Sequence, residues 1–356
     1  MAQSCDRIVR NLRQRGVYID LVHFTPRKSP YVWQDQQQGR YLACPFEVDA
    51  AHTLNKLYLF IEPYREQYTH LVAYGGNLPV RAAAVFPHWL VLPSVVLFRG
   101  NDLDAGIFSS KRQDVVYRAM EAASALGAVS TDKVIKLQRM VPGTPCLFTP
   151  NSIDADAFLP GKSQLRFAGK WKQEAAAGKM VIGFIGQLKV KKGIDFFLNC
   201  LAHLPFRKQL HLLFIGEIPD EIRLFLSEDI TYTELPFIDR YELLQYYPAC
   251  DAVAIPSWYD GMPNVLLEAA ALGIPVLGSR VDGIRDVLQD DFNDFLFQPG
   301  RTDEARQALH NWYFYPDDKR EAVREKLKAT IREHYNPDIE TTAMLNAMEA
   351  TGNRKW

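Results

Sequence analysis

Apolar residues along the chain fall into two kinds of segment. The first are short, nearly continuous apolar runs at 18–24, 70–74, 94–99, 128–130 and 146–149. Runs of this length predict strands buried in a sheet. The second kind carries apolar positions at helical spacing. In 7–14, Ile8, Val9 and Leu12 share one face with arginines opposite, and in 112–126 Val116, Ala119, Met120 and Ala123 do the same. The alternation continues beyond residue 180, with strands predicted over 181–185, 211–215, 231–234, 252–255, 275–278 and 295–297. Helices are predicted between them over 194–203, 220–227, 240–247, 264–272 and 302–313, followed by a long charged helix over 317–334 and another over 337–349. Strands alternating with helices are the mark of parallel sheets covered on both faces.

The stretch 161–179 is rich in Lys, Gln, Ala and Gly with little apolar periodicity, and reads as a connection between domains. The expected organisation is an N-terminal Rossmann-like domain over 1–160, a linker over 161–179 and a second Rossmann-like domain over 180–316. Helices over 317–356 are expected to pack back toward the first domain. The 356 residues suit two domains at about 150 residues each. In such open α/β sheets ligands bind beyond the carboxyl ends of the strands, so the loops after strands are where chemistry should be sought.

Composition narrows the partners. With 47% hydrophobic residues the chain has ample material for two cores. Forty-one Lys plus Arg stand against 42 Asp plus Glu, a balance that excludes a dedicated nucleic-acid binder. Any anion must be held by a local site. The five cysteines, Cys5, Cys44, Cys146, Cys200 and Cys250, are scattered and never spaced Cys-x-x-Cys, which argues against disulfides or structural zinc and for a cytoplasmic setting. Residues 1–16 carry four arginines but no apolar core of a signal peptide. The longest apolar stretch, 82–98, is broken by Pro87, His88 and Pro93, so it reads as a helix end, a turn and a strand. The basic first helix would suit peripheral contact with an anionic membrane at the inner face of the cell, against the plainer reading of a solvated face. His70 and His88 are read as structural.

The most informative run is 255–279, Ile-Pro-Ser-Trp-Tyr-Asp-Gly-Met-Pro-Asn-Val-Leu-Leu-Glu-Ala-Ala-Ala-Leu-Gly-Ile-Pro-Val-Leu-Gly-Ser. A buried strand gives way to a loop bearing Gly and Pro, and a helix opens near Asn264. The unpaired N–H groups and positive dipole end of such a helix favour phosphate. Asp260 on the loop and Glu268 inside the helix cannot form an i,i+4 pair, but they can engage two hydroxyl-bearing parts of one extended ligand. The plain alternative makes Asp260 a turn former and Glu268 a solvated helix residue. An acid flanked by Val265, Leu266, Leu267, Ala269, Ala270 and Ala271 is an odd choice for a solvated one.

This run resembles the signature of the large retaining glycosyltransferase family four, whose GT-B fold has two Rossmann-like domains facing a cleft. Other landmarks occur in the matching order: 98–102 (Phe-Arg-Gly-Asn-Asp), 148–154 (Phe-Thr-Pro-Asn-Ser-Ile-Asp) with Phe158, 184–193 (Phe-Ile-Gly-Gln-Leu-Lys-Val-Lys-Lys-Gly), 283–286 and 293–300. The resemblance covers residues 5–335 and implies transfer of a sugar from a nucleotide-diphosphate sugar to a glycan or lipid-linked acceptor. Glu268 would grip ribose hydroxyls and Asp260 the donor sugar. N–H groups of Gly261, Met262, Asn264 and Val265 would face sugar and diphosphate, with Gly186 and Glu217 beside the donor. Lys192 would place a cation on the leaving diphosphate. Asn101, Asp102 and Tyr74 would stand on the acceptor side. In retaining members the acceptor attacks from the leaving-group side and a phosphate oxygen takes its proton. That route needs no metal, no cofactor and no protein nucleophile, and no Asp-x-Asp motif ends a strand here.

Three features depart from the family. Gln187 stands where the family has an arginine beside the lysine, with Arg280 and Arg285 as substitutes of charge. Asp260 stands where it usually has Glu. The opening strand and glycine loop of the first domain have no counterpart before the first helix. Two other readings therefore stay open: a non-catalytic or partner-dependent subunit of the same fold, and a nucleotide-sugar 2-epimerase.

Overall fold

The computed structural model describes residues 2–288 and 290–352 and divides into two compact units, Met1–Asn151 with Pro337–Trp356, and Ser152–Asn336. In the first unit the elements run α1 (Ala2–Gln14), β1 (Ile19–Thr25), β2 (Gln34–Gln36), β3 (Gly39–Pro45), α2 (Ala50–Ile61), β4 (Leu71–Tyr74), α3 (Asn77–Ala83), α4 (Phe86–Leu90), β5 (Ser94–Phe98), α5 (Asn101–Ile107), α6 (Gln113–Ala122), β6 (Ala125–Ala128), α7 (Thr131–Met140) and β7 (Cys146–Phe148). Strands β4-β5-β6-β7 form a parallel sheet. A second sheet, in the order β1-β3-β2, pairs β1 with β3 in parallel and β2 with β3 in antiparallel fashion. No strand joins β1 to β4 among the described residues, so the layer expected as one doubly wound sheet is in two parts.

Two expected boundaries in this unit move. The helix expected over 112–126 stops at Ala122, and the strand expected over 128–130 is Ala125–Ala128. Ser130 instead caps α7, accepting the Lys133 N–H at 3.3 Å. Small residues allow β6 its place. A Cβ on Gly127 would meet Leu97 at 2.6 Å and Thr149 at 2.9 Å, so a larger residue there would force those side chains to shift.

The C-terminal helix Pro337–Glu349 belongs to this unit, where Met344 and Ala347 pack with Ile8, Leu12, Val95, Leu97 and Ala125. It also consumes the basic face of α1. Arg7 makes two 2.8 Å bonds to Glu340, and Arg15 meets Asp338 at 2.6 Å. Arg13 donates to the Ile19 carbonyl at 2.5 Å and to Gln36 at 2.6 Å. Three of the four arginines offered to a membrane are thus engaged within the unit. No helix among the described residues is long and apolar enough to cross a bilayer.

The second unit runs α8 (Lys162–Ala175), β8 (Met180–Ile185), α9 (Ile194–Ala202), β9 (Leu210–Ile215), α10 (Asp220–Arg223), β10 (Thr231–Leu235), α11 (Arg240–Tyr246), β11 (Ala252–Ile255), α12 (Asn264–Ala271), β12 (Val276–Ser279), α13 (Asp282–Leu288), β13 (Leu296–Phe297), α14 (Thr302–Tyr313) and α15 (Asp317–His334). The segment expected as a linker is the helix α8. Lys172 grips Asp251 at 2.6 and 2.7 Å, and Trp171 meets the buried His211 edge-on. Its polar composition reflects a helix covered on one side only. The unit boundaries accordingly fall at 151/152 and 336/337, not at 160 and 316.

All six strands are parallel, in the order β10-β9-β8-β11-β12-β13. Counted within the unit this is 3-2-1-4-5-6, the doubly wound order. Between β8 and β11 the chain turns in opposite directions, which opens a crevice at their carboxyl ends. The loops after those two strands, 186–193 and 256–263, are the ones the topology marks for a ligand.

Candidate functional site

Both loops are held to one another by backbone. Gly186 leaves β8 at φ 107° and Gly193 enters α9 at φ 62°, conformations that favour glycine. Trp258 N–H donates to the Lys191 carbonyl at 3.0 Å, tying loop 256–263 to loop 186–193. A Cβ on Gly193 would lie 2.2 Å from the Pro256 carbonyl oxygen, so the contact leaves no room for a side chain. The far end of the second loop is pinned as well, because Gly283 N–H at the start of α13 donates to the Gly261 carbonyl at 3.0 Å.

This scaffold brings Lys192 and Asp260 into a direct ion pair through Nζ and Oδ2. Asp260 is 8% exposed and also accepts the Gly261 N–H at 3.0 Å, with the Ser257 hydroxyl 3.5 Å from Oδ2. The two charges expected to meet different parts of one ligand therefore neutralise each other here. Gln187, Lys192, Ser257, Pro263 and Val265 line one small cavity of about 30 Å³. Gln187 itself is exposed. Helix α12 starts at Asn264 behind Pro263, which offers no capping side chain, so the first-turn N–H groups of Asn264 and Val265 receive no side-chain cap.

Glu268 lies in the buried run of α12 and is 8% exposed. Its Oε2 accepts the hydroxyl of the fully buried Tyr247 at 2.8 Å, and Arg240 Nε stands 3.8 Å from Oε1. Burial beside this carboxylate pushes the Tyr247 phenol well above its usual range, which keeps it a neutral donor. The Arg240 guanidinium also lies 4.6 Å from the Phe158 ring centre. Tyr247 and Arg240 were invisible to motif reading. Neither belongs to the 255–279 run, and only the fold brings α11 and the turn after it against α12.

The remaining expected positions divide by unit. Glu217 is exposed directly after β9, at the same carboxyl edge of the six-stranded sheet as Gly186. The adjacent Gly216 packs so closely that a Cβ there would lie 2.1 Å from the Gly186 carbonyl oxygen. Arg280, offered as a substitute charge, reaches the Asn293 carbonyl at 3.4 Å, and Arg285 is exposed. In the first unit, Asp102 accepts N–H groups of Arg99 and Gly100 at 2.9 Å and of Leu103 at 3.2 Å. Burial raises its pKa against those three bonds. Its carboxylate is engaged in shaping the turn into α5. Tyr74 ends β4 with Arg99 5.4 Å over its ring, and burial raises its phenol as well. Arg99 is in turn bonded to Thr149, Asn151 and Glu340. The side chain of Asn101 lies outside the described residues.

A family model described as "Glycosyl transferases group 1" matches residues 179–313, the span holding Gln187, Lys192, Glu217, Arg240, Tyr247, Asp260 and Glu268. Residues 179–313 are a glycosyl transferases group 1 domain. A GDP-mannose-dependent alpha-mannosyltransferase of Corynebacterium glutamicum is 28% identical over 169 residues, which is 47% of this chain and 38% of that protein. A D-inositol 3-phosphate glycosyltransferase of Xylanimonas cellulosilytica is 30% identical over 159 residues, 41% of this chain and 38% of that one. The matches thus span less than half the length of these relatives. Among solved structures, sucrose-phosphate synthase from Thermosynechococcus elongatus superposes with a TM-score of 0.75 at 17% identity, covering 96% of this chain and 90% of that one. Anabaena HepE, crystallised in complex with UDP-glucose, gives 0.70 at 17% identity over 87% and 86%. At these identities the structures speak to fold alone. The fold is GT-B, and the group 1 domain is its doubly wound second unit.

Proposed function

We propose that the protein is a retaining glycosyltransferase that takes a sugar from a nucleotide-diphosphate sugar and passes it to a glycan or lipid-linked acceptor. The observation that carries this reading is the Lys192–Asp260 pair at the switch point of the group 1 domain, with Glu268 on the helix that follows. Named relatives support the donor class: one carries GDP-mannose in its name, and Anabaena HepE was crystallised with UDP-glucose.

The chemistry follows from where charge develops. Cleavage between the anomeric carbon and the phosphate leaves a sugar with oxocarbenium character and a nucleoside diphosphate. Lys192 and the first N–H groups of α12 would meet the diphosphate's growing charge, so no metal or other cofactor is assigned that task. Released from Lys192 by the incoming phosphates, Asp260 would accept hydroxyls of the sugar, and Glu268 those of the ribose. The acceptor would attack from the side the diphosphate leaves, with a phosphate oxygen taking its proton.

Purified protein should hydrolyse or transfer from one class among UDP-, GDP- and ADP-sugars, and Glu268→Ala should weaken binding of that donor at least about tenfold, the worth of a hydrogen bond to a charged group. Equal binding by wild type and variant would defeat the assignment. A second reading, a subunit that holds a nucleotide without turning it over, is favoured by one observation: Gln187 brings no charge to the cavity that Lys192 lines. Gln187→Arg is expected to raise the transfer rate about tenfold by adding a charge-assisted bond to the leaving group. Nucleotide binding without turnover in both proteins would favour the subunit.

A further inference from the structure

The donor reading assigns Glu268 to a ribose but leaves unexplained why its carboxylate is buried against a phenol. A carboxylate with 8% exposure needs partners to remain ionised and in one orientation. Tyr247 supplies the first, a 2.8 Å hydroxyl bond to Oε2 from a ring that is itself fully buried and edge-on to Phe158 at 6.0 Å. Arg240 supplies the second, a cation 3.8 Å from Oε1 whose guanidinium rests on Phe158. The phenol can only be a donor toward an ionised carboxylate, and arginine has no acceptor at all. Between them they define Glu268 as an acceptor. Anything completing its coordination must offer hydroxyl or N–H hydrogens.

We infer that Tyr247 and Arg240 are positioning residues that hold Glu268 for the vicinal hydroxyls of a nucleotide ribose, so the site selects ribonucleotides over nucleotides lacking those hydroxyls. This rests on the donor reading and extends it to two side chains outside the motif. Loss of the Tyr247 hydroxyl removes the bond that orients Oε2, while loss of Arg240 removes the cation beside Oε1. Each should reduce what the ribose hydroxyls contribute without touching the diphosphate end.

The test is calorimetric titration of wild type, Tyr247→Phe, Arg240→Gln and Glu268→Gln with UDP, GDP and ADP and with the 2′,3′-dideoxy form of each. For whichever nucleotide binds, wild type should prefer the ribo form by about tenfold or more. Tyr247→Phe should cut that preference to about twofold and Arg240→Gln by severalfold. A further variant, Tyr335→Phe, separates this from general destabilisation. It deletes a buried hydroxyl bonded at 2.9 Å to the Asp286 carbonyl in the same unit, and should keep the preference intact. If Glu268→Gln loses the preference while Tyr247→Phe and Arg240→Gln retain it, the inference is overturned and the donor reading stands. Should Tyr247→Phe fail to fold, an unchanged preference in Arg240→Gln overturns it alone. Wild type that binds none of the three nucleotides overturns both.

Discussion

Lys192→Ala should lower the rate of sugar transfer about 100- to 1,000-fold, the usual effect of deleting one preorganised group that meets developing negative charge. The same substitution should also destabilise the group 1 domain, because it strands Asp260 as a buried, unpaired carboxylate. The pair is part-buried and Asp260 keeps the Gly261 N–H, so the expected loss is about 1–3 kcal/mol. The two effects can be separated. Adding Asp260→Asn to Lys192→Ala removes the stranded charge and should return most of the stability seen in urea denaturation, while turnover stays lost. Lys192→Arg keeps the charge but spreads it over a planar fork where a compact ammonium fits, so an intermediate rate is expected. A stability loss with an unchanged rate would reduce Lys192 to a structural partner of Asp260.

The second unit was more legible in sequence than the first for a physical reason. Its strands other than β10 are largely apolar and buried, such as Leu210–Ile215, and its helices 302–313 and 317–334 begin and end where the periodicity does. In the first unit, β2 is Gln-Asp-Gln with every residue exposed, so it carries no apolar signal at all, and its existence depends on pairing with β3. Helix α8 was missed for the converse reason: it buries only Ala168 and is held by Lys172 and Trp171, polar and aromatic anchors that a hydrophobic pattern does not count. The site divides the same way. Asp260 and Glu268 stand in one contiguous run and could be singled out there. The Lys192–Asp260 pair joins residues 68 apart, and Tyr247 reaches Glu268 from 21 positions upstream. Pairings of that kind are products of strand order, which puts the ends of β8 and β11 side by side. Asp102 shows another kind of engagement: an acid in a motif-like run whose carboxylate accepts three backbone N–H groups.

Gly193→Ala probes the same strand order from the backbone. At φ 62° an alanine costs about 1–2 kcal/mol over glycine, and its Cβ would fall 2.2 Å from the Pro256 carbonyl oxygen, a contact that only backbone movement can relieve. The atoms that must move are those that hold Lys192 and Asp260, because Gly193 follows the one and Pro256 opens the loop bearing the other. The expected result is a loss of about 3 kcal/mol or more in urea denaturation and a fall in transfer rate of at least about tenfold that persists at saturating donor, since a small misplacement of a charge-stabilising group is felt in turnover. Gly178→Ala is the matched control. It too has a left-handed φ, 79°, but nothing lies within 4 Å of its Cβ position, so it should bear the conformational cost alone and leave the rate unchanged. Equal behaviour of the two variants would mean that the close approach of the two loops does not set the geometry of the site. A larger loss confined to Gly193→Ala would show that the pairing of Lys192 with Asp260 is maintained by backbone contact between neighbouring strand ends.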